Sequence, residues 1–295
     1  MSASPGPPEI FDSQRRMAKL ARGEKSFAAA DFLHARAAEN AVNSLEVILR
    51  AFADAVDLSA RPGPFARLLA GGPAAGRVGP VRTAGDLSAR AAPGAAPLVL
   101  PDQSQDLIVS LMSLHWASDL PGALVQIRRA LRPDGLFLGT LLGAGTLKEL
   151  RAVLTQAELE VRGGAQARVS PFADGFDGAA LLQRAGFALP VADVDRLTVR
   201  YPDLPALVRD LRAMGETNAL AGPVRPLTRG LLARTAELYA ERFAEADGRI
   251  PATFEIIHLA GWAPHESQQK PLAPGSAKVR LADALGVREW TGDEG

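Results

Sequence analysis

A nearly continuous apolar run from Asp106 to Leu114 is the feature that most constrains the fold of this chain. Apolar residues on both faces are typical of a strand in the middle of a parallel sheet, where helices cover each side. Asp119 then begins a predicted helix that continues to Leu131, and an Arg-Pro-Asp-Gly turn leads into a second apolar strand, Leu136–Leu142. A helix between two such strands predicts a parallel crossover, so we expect an α/β sheet.

The composition is that of a globular protein and excludes several classes of function. With 295 residues, of which 47% are hydrophobic, the chain can bury a large core. The 33 basic and 33 acidic side chains cancel, so no overall positive field is present to bind nucleic acid. The absence of cysteine excludes disulfides, thiolate metal sites and a cysteine nucleophile, and it is compatible with a reducing compartment.

The start of the sequence and its hydropathy lead to a prediction of location. Residues 1–8 lack a basic start followed by an apolar stretch, and no run reaches the roughly 18 apolar residues that span a bilayer. We therefore expect a soluble, cytoplasmic protein with no integral membrane segment and no nucleic-acid partner.

A loop at Asp57–Gly63 follows a short apolar strand predicted at Ala53–Leu58. A strand that ends in an acidic residue, then a turn with three alternating glycines and a helix, is typical of the loop by which Rossmann-like sheets approach a nucleotide. Gly63 is the one glycine retained, since Ser59 and Arg61 stand at the other two positions. The pattern predicts the scaffold of a cofactor site, and loss of the cofactor itself is the alternative.

The pattern along the chain predicts four segments. They are a helical arm at 1–50, a Rossmann-like core at 51–201, a helical and strand elaboration over the crevice at 202–267, and a partly disordered tail at 268–295. The core is expected to end in an antiparallel pair formed by Leu189–Asp193 and Arg196–Tyr201. In the arm, the basic run that includes Arg15, Arg16 and Lys19 is expected to be a solvated helix face.

The order of elements resembles class I S-adenosylmethionine-dependent methyltransferases, in which a turn similar to Leu131-Arg-Pro-Asp-Gly135 precedes the fifth strand. Over nearly the whole chain the sequence more closely resembles a narrower family, the complex I assembly factors of methyltransferase fold and their alphaproteobacterial relatives. The shared motifs are Ile10-Phe11-Asp12, Arg15-Arg16, Ser113-Leu-His-Trp116, Asp119-Leu-Pro121, Gly145-Thr-Leu, Glu149-Leu-Arg151, Ser170-Pro-Phe172, Arg184-Ala-Gly-Phe187, Tyr201-Pro202, Asp210-Leu211, Met214-Gly-Glu216, Asn218, Asp247-Gly248, Pro251-Ala-Thr253, Gly261-Trp262 and His265-Glu-Ser-Gln268.

This resemblance implies a seven-stranded Rossmann-like methyltransferase fold with S-adenosylmethionine as its cofactor. It also implies a protein client that is a subunit of NADH:ubiquinone oxidoreductase, respiratory complex I, and in the mitochondrial relatives a link to hydroxylation of an arginine rather than methyl transfer. Biotin-pathway methyltransferases, which act on a malonyl group carried by acyl carrier protein, resemble the N-terminal half of the chain similarly.

The resemblance assigns the cofactor site to the loop after the first strand. Asp57 stands at its acidic position, although a strand-end carboxylate that caps the turn is an equal alternative. Arg61 either fills the space of the cofactor or pairs with its carboxylate. Asp86 is the nearest acidic residue for the ribose hydroxyls, and a solvated helix cap explains it as well.

A second group of candidates follows the central strand, where the carboxyl edge of a parallel sheet faces the ligand crevice. His115 is predicted to contact the cofactor and Trp116 the substrate, with a buried core pair as the alternative. Glu216 and Asn218 are predicted substrate contacts, although a helix C-terminus also explains this loop. No metal site is assigned, because His258 lies in a predicted apolar strand and His265 seven residues later in a loop. No catalytic residue is assigned, because Ser113-Leu114-His115-Trp116 stands where an Asn-Pro-Pro-Tyr-like amine-binding motif would follow the fourth strand.

Three functions are consistent with these residues. The first, favoured here, is an enzyme that modifies, or helps to mature, a complex I subunit. The second is a non-catalytic assembly chaperone whose cofactor loop has degenerated. The third is a methyltransferase that acts on a small or carrier-linked acid.

Overall fold

One six-stranded sheet organises the part of the chain that the computed structural model describes, residues 9–85, 100–170 and 177–269. The strands are β1 (Ala55–Asp57), β2 (Val81–Thr83), β3 (Gln105–Ser110), β4 (Leu131–Leu142), β5 (Ala188–Tyr201) and β6 (Ile250–Trp262). Their order in the sheet is β2-β1-β3-β4-β6-β5. The first four strands are parallel, and β6 is antiparallel to both of its neighbours. The predicted Rossmann-like α/β fold is confirmed, with six strands in the described residues instead of seven.

Eight α-helices connect or flank these strands in the described residues. They are α1 (Ser13–Gly23), α2 (Phe32–Val47), α3 (Gly63–Gly71), α4 (Leu120–Ala130), α5 (Lys148–Arg162), α6 (Asp177–Arg184), α7 (Leu204–Met214) and α8 (Arg229–Phe243). Polar side chains begin several of them: Asp119 accepts from Gly122 N, and Thr228 accepts from Leu231 N. The helix start predicted at Asp119 is confirmed.

The core lies on both faces of the sheet because successive strand residues point to opposite sides. On one face Leu107 and Val109 pack with residues of α2, α3 and α5. On the other face Ile108 packs against Leu124 and Ile127 of α4. The continuous apolar run read in the sequence is therefore a central strand, although β3 ends at Ser110 and a helical turn covers Leu114–Trp116.

The end of the sheet differs from the sequence prediction. The segments expected to pair with each other, Leu189–Asp193 and Arg196–Tyr201, form the single strand β5. The polar residues between them are tolerated because β5 is an edge strand with many exposed side chains. Its partner is β6, which also pairs with β4. The segment 202–267 therefore contributes a strand to the sheet itself, and the core does not end at residue 201.

Several sequence predictions fall outside the described residues. They include residues 1–8, Asp86, the Pro171-Phe172 motif and the tail beyond Gln269. His265–Gln269 forms a short turn of its own, in which Gln268 N donates to the carbonyl of His265.

Candidate cofactor edge and substrate cavity

The carboxyl ends of β1 and β3 form the switch point of the sheet. β1 lies between β2 and β3, so β2 is added to the sheet on one side of β1 and the later strands are added on its other side. Ligands of α/β sheets bind in the crevice at such a point. The described residues at this edge are the loop Asp57–Gly63 and the segment that follows Ser110.

Asp57 ends β1 with a buried carboxylate that is only half engaged. Its Oδ1 accepts a hydrogen bond of 2.8 Å from Ser59 N. Its Oδ2 is buried and has no hydrogen-bond partner among the described residues. Burial raises the pKa of Asp57, against the opposite effect of the hydrogen bonds from Ser59. An unpartnered buried oxygen is an acceptor available to a donor group of a ligand.

Two serine hydroxyls connect the loop after β1 with the segment after β3. Leu111 N donates to Ser59 Oγ, and Ala60 N donates to Ser113 Oγ, each over 2.8 Å. Neither Ser59 nor Arg61 has a positive φ angle. The backbone here therefore makes no demand for glycine, and the two substitutions introduce no left-handed strain.

The Arg61 side chain points toward the helical arm. One of its terminal nitrogens donates to Glu24, and the other donates to the carbonyl of Leu20 at 2.6 Å. Its guanidinium carbon also lies 4.8 Å from the centre of the Phe27 ring. These contacts hold α1 and the turn after it against the loop. The two alternatives drawn from the sequence, filling the cofactor space and pairing with the cofactor carboxylate, stay predictions beside these observed contacts.

The edge fits S-adenosylmethionine at the Asp57 end. The unpartnered Oδ2 can accept a hydrogen bond from a ligand, and a Cβ placed on Gly63 would meet no atom within 4 Å at the start of α3. Asp86, the candidate for the ribose hydroxyls, lies outside the described residues. The glycine cradle itself is absent, because Ser59 and Arg61 are bonded into the protein.

On the other side of the edge, Glu216 is the centre of a buried polar cluster. Its Oε2 accepts 2.9 Å and 3.1 Å hydrogen bonds from His115 Nε2 and Trp116 Nε1. Its Oε1 lies 3.2 Å from Arg16 Nη2. Arg16 also donates to the carbonyl of Gly215 at 2.5 Å and stacks over the Trp116 ring at 4.5 Å. The cluster fixes α1, the helical turn at 114–116 and the loop after α7 to one another.

Both ring nitrogens of His115 have polar partners. Leu142 N donates to His115 Nδ1 at 3.3 Å, and His115 Nε2 lies 2.9 Å from Glu216 Oε2. The His115 side chain is 1% exposed. The structure therefore places the predicted cofactor contact of His115 inside the protein, with both ring nitrogens engaged.

The charges of the cluster shift two pKa values. Burial alone would raise the pKa of Glu216, but Arg16 and His115 outweigh burial and lower it to about 2. Burial lowers the pKa of the neighbouring His34 to about 3, although Glu216 acts in the opposite direction. Glu216 is therefore ionised and His34 neutral at pH 7. His34 Nδ1 has no partner among the described residues.

Trp116, Glu216 and Asn218 all line one cavity of about 800 Å³. The structure thus brings the three predicted substrate contacts together. The Asn218 amide is already used in its own loop, since it donates to the carbonyl of Ala167 at 3.1 Å and accepts from Leu220 N at 2.8 Å. The loop Asp57–Gly63 contributes nothing to this cavity.

Sequence reasoning missed the basic side chains of this region. Arg16 is 2% exposed, so the run predicted to be a solvated face has a buried member. Lys19 and Arg22, from the same helix, line the cavity together with Arg209 and Arg212 of α7. The signal was present in the spacing, since Arg16 and Lys19 lie three residues apart on one helix face.

The described residues contain no group of three side chains that could hold a metal ion. His258 is buried in β6, and neither of its ring nitrogens has a partner among those residues. In the same ranges, every helix is too short or too polar to cross a bilayer.

Comparison with known proteins gives a family match and two groups of relatives. Residues 55–139 match the family model described as a methyltransferase domain. The mitochondrial arginine hydroxylase NDUFAF5 of Danio rerio is 42% identical over 189 residues, 64% of this chain and 59% of that protein. Its Homo sapiens counterpart is 43% identical over 178 residues, 60% of this chain and 52% of that protein. A malonyl-[acyl-carrier protein] O-methyltransferase of Xylella fastidiosa is 42% identical over 171 residues, 58% and 56% of the two chains. This chain thus spans between half and three fifths of these relatives.

The predicted cytoplasmic location is contradicted by these relatives. The arginine hydroxylases of both Danio rerio and Homo sapiens are mitochondrial by name. The prediction depended on composition and on the first residues of the sequence. A chain without cysteine is compatible with any reducing compartment, so composition could not distinguish between compartments.

Proposed function

We propose that this chain is an S-adenosylmethionine-binding protein of the methyltransferase superfamily that modifies, or helps to mature, a subunit of respiratory complex I. The observation that carries the cofactor part is the buried Asp57 Oδ2, which has no partner in the described residues at the switch point of the sheet. The client part is supported by the 42% and 43% identity to arginine hydroxylases.

The residues of this chain would hold the cofactor rather than react with it. Asp57 would accept a hydrogen bond from the cofactor, and the open start of α3 at Gly63 would leave room for it. S-adenosylmethionine supplies an electrophilic methyl group when it is bound. The loop that receives it is rigid, because Ser59 and Ser113 bond it to the segment after β3.

The buried cluster supports a role that needs the whole chain. Arg16 and Glu216 lie 200 positions apart and meet beside the turn that follows β3. They hold the arm and the loop after α7 at the carboxyl edge of the sheet. A surface for a protein client would be assembled from these segments around the cofactor edge.

The test is deletion of the gene in an organism that carries this chain, followed by its replacement with point variants. Deletion is expected to reduce the amount of assembled complex I, measured by native gel electrophoresis, and to remove a modification from one of its subunits, measured by mass spectrometry. The Asp57→Asn variant is expected to behave like the deletion, and the exposed control Asp102→Asn like the wild type. Unchanged assembly and unchanged subunits after deletion would contradict the proposal.

A second candidate, a non-catalytic assembly chaperone, is favoured by the internal use of Ser59 and Arg61. At positions where glycines would approach a cofactor, both side chains are bonded to the protein itself. The same experiment separates the two functions. If the Asp57→Asn strain assembles complex I normally while the deletion strain does not, the chain acts as a chaperone.

A third candidate is methyl transfer to a carrier-linked acid. It is supported by the 42% identity to the malonyl-[acyl-carrier protein] O-methyltransferase of Xylella fastidiosa. Incubation of the purified chain with malonyl carrier protein and methyl-labelled S-adenosylmethionine tests it directly. Label in a carrier-linked ester would support this candidate over the other two.

A further inference from the structure

Most of the charged side chains that line the cavity beside Trp116 are basic. They come from the arm, from α7 and from the loops that follow α5 and α7: Lys19, Arg22, Arg168, Arg209, Arg212 and Arg225. Glu216 is the acidic residue of its wall, and Arg16 already balances that carboxylate. The wall therefore carries a net positive charge.

Most of these cations have no acidic partner in the described residues. Arg168 is the exception, since it pairs with Glu158 at 2.6 Å. Lys19, Arg22, Arg209, Arg212 and Arg225 form no ion pair within those ranges. Other arginines of the described residues, such as Arg77 and Arg242, also form no ion pair, so what distinguishes this cavity is that five such cations line one wall.

Lys19 shows the strength of this positive field. Its Nζ donates to Thr217 Oγ1 at 2.9 Å. Burial lowers the pKa of Lys19, and the charges of four neighbouring arginines, Arg212 among them, lower it further. An anion placed here would relieve that repulsion.

Much of the rest of the wall is aliphatic, although Ser26, Trp116 and Thr217 also line it. Leu147, Leu150 and Leu154 line it at the start of α5 and along that helix, and Leu204 and Val208 line it from α7. Val224, Leu227 and Leu232 also line it and are 47%, 45% and 37% exposed. Partly exposed aliphatic side chains beside a basic group fit a ligand that is itself amphipathic. The volume of about 800 Å³ lies within the range of small-molecule sites.

We propose that this cavity binds a small amphipathic anion, a carboxylate or phosphate monoester on an aliphatic chain. The head group would contact Lys19, Arg22 and Arg212, and the chain would lie against Leu150, Leu154 and Leu232. This inference names a ligand class for the proposed function and depends on that function only for what happens to the ligand afterwards.

The same charges exclude an arginine side chain from the cavity. A guanidinium would meet five cations that have no acidic partner in the described residues, and Glu216 is already paired with Arg16. If an arginine of a client is the modified residue, it binds outside this cavity. The cavity would then hold a second ligand or an acidic part of the substrate.

The test is calorimetric titration of the full chain, without cofactor, with octanoate, octyl phosphate, 1-octanol and octylguanidinium. The two anions are expected to bind saturably, and the neutral alcohol and the cation at least tenfold more weakly. Comparison of octanoate with octyl phosphate shows which head group the site prefers. Saturable binding of octylguanidinium as tight as that of octanoate, or no saturable binding of either anion at millimolar concentration, would overturn the proposal.

Two matched pairs of variants locate the site. Arg212→Gln is expected to weaken anion binding about three- to tenfold. The control Arg242→Gln removes the same charge from an exposed position on α8 that lies outside the cavity. Leu232→Ser is expected to weaken binding several-fold, and the control Leu159→Ser, 48% exposed on α5, to leave it unchanged. All four positions are exposed, so the variants should fold, which thermal unfolding checks.

Equal affinities for each variant and its control would place the anion elsewhere and overturn the proposal. Because these titrations contain no S-adenosylmethionine, a negative result in them does not contradict the proposed function. Failure of the complex I experiment, in turn, leaves these binding results unaffected.

Discussion

At the end of β1 a buried carboxylate keeps one oxygen without a partner in the described residues, whereas beside the ends of β3 and β4 the Glu216 carboxylate contacts three side chains. Asp57 and Glu216 are both buried acids at one edge of the sheet. Burial raises the pKa of Asp57, and the surrounding partners lower that of Glu216 to about 2. Glu216 is therefore held by partners within the protein, whereas Asp57 retains an acceptor oxygen that has no partner in the described residues. We expect cofactor binding to depend on Asp57 and the folding stability to depend on Glu216.

The largest effect on stability is expected when the Glu216 cluster is broken. Glu216→Gln leaves Arg16 as an uncompensated buried charge, and we expect the free energy of unfolding to fall by about 3 kcal/mol. Urea unfolding measures this. The control Glu160→Gln removes an exposed partner of Arg234 and should leave the free energy of unfolding nearly unchanged, because solvent screens that pair.

A double variant sharpens that result. Arg16→Met combined with Glu216→Gln removes both charges, so it should recover part of the stability lost in the single variant. A double variant that is less stable than the two single losses added together would show that the pair is not the source of the effect.

The pH dependence of stability provides the second test. The folded pKa of His34 is about 3, below the value near 6.5 expected when unfolded, so the unfolded state binds more protons between these values. Stability is full above pH 6.5 and falls, by up to about 1.4 kcal/mol per pH unit, as pH drops toward 3. Glu216 adds a loss in the same direction between about pH 4.5 and pH 2.

His34→Leu is expected to flatten the profile of unfolding free energy between pH 6.5 and pH 4.5. Burial also lowers the pKa of His258, so part of the slope should remain. His265→Leu, a change in the exposed turn, serves as the control and should keep the full slope. An unchanged slope in His34→Leu would show that this histidine is not held neutral by burial.

The third prediction concerns the glycine positions of the loop. Ser59→Gly restores the family pattern but leaves the buried Leu111 N without its acceptor, so stability should fall by about 1 to 2 kcal/mol. Because Ser59 has no positive φ angle, affinity for S-adenosylmethionine should change by less than about twofold. A large gain in affinity, measured by calorimetry, would instead show that the serine obstructs the cofactor. Ser104→Gly is the control and should change stability by about 0.5 kcal/mol or less.

The smallest effect is expected at Arg61. Arg61→Ala removes its bonds to Leu20 and Glu24, which should cost about 1 kcal/mol and speed hydrogen exchange in α1 while β3 stays protected. Affinity for S-adenosylmethionine should be retained. Loss of binding with unchanged exchange in α1 would mean that Arg61 contacts the cofactor after all.

The sequence was sufficient to predict local elements and insufficient for contacts between distant segments. The apolar run at β3 and the helix cap at Asp119 are local signals, and the structure confirms them. The partner of β4 lies more than 100 residues away, as in the pair Leu136 and Trp262. No local pattern specifies such pairing, which is why β6 was assigned to an elaboration outside the core.

The candidate site shows the same division between what local sequence patterns predict and what contacts between distant segments decide. Trp116, Glu216 and Asn218 were found through family motifs, and they line one cavity. Arg16 was missed because a basic run on a helix usually faces solvent, and its partner Glu216 lies 200 positions away. His34 was missed because an apolar helix face predicts burial but does not say which charges surround it.

Titration of the full chain with S-adenosylmethionine is the direct test of a cofactor site at the Asp57 end of the sheet. We predict saturable, micromolar binding that Asp57→Asn weakens at least about tenfold, because the amide would present a donor where the free oxygen now accepts. The exposed control Asp102→Asn should bind like the wild type, and ligand at 100 times its dissociation constant should stabilise the chain by about 2.7 kcal/mol. Absence of binding at millimolar ligand, or equal affinity in Asp57→Asn, would contradict a cofactor site at this edge.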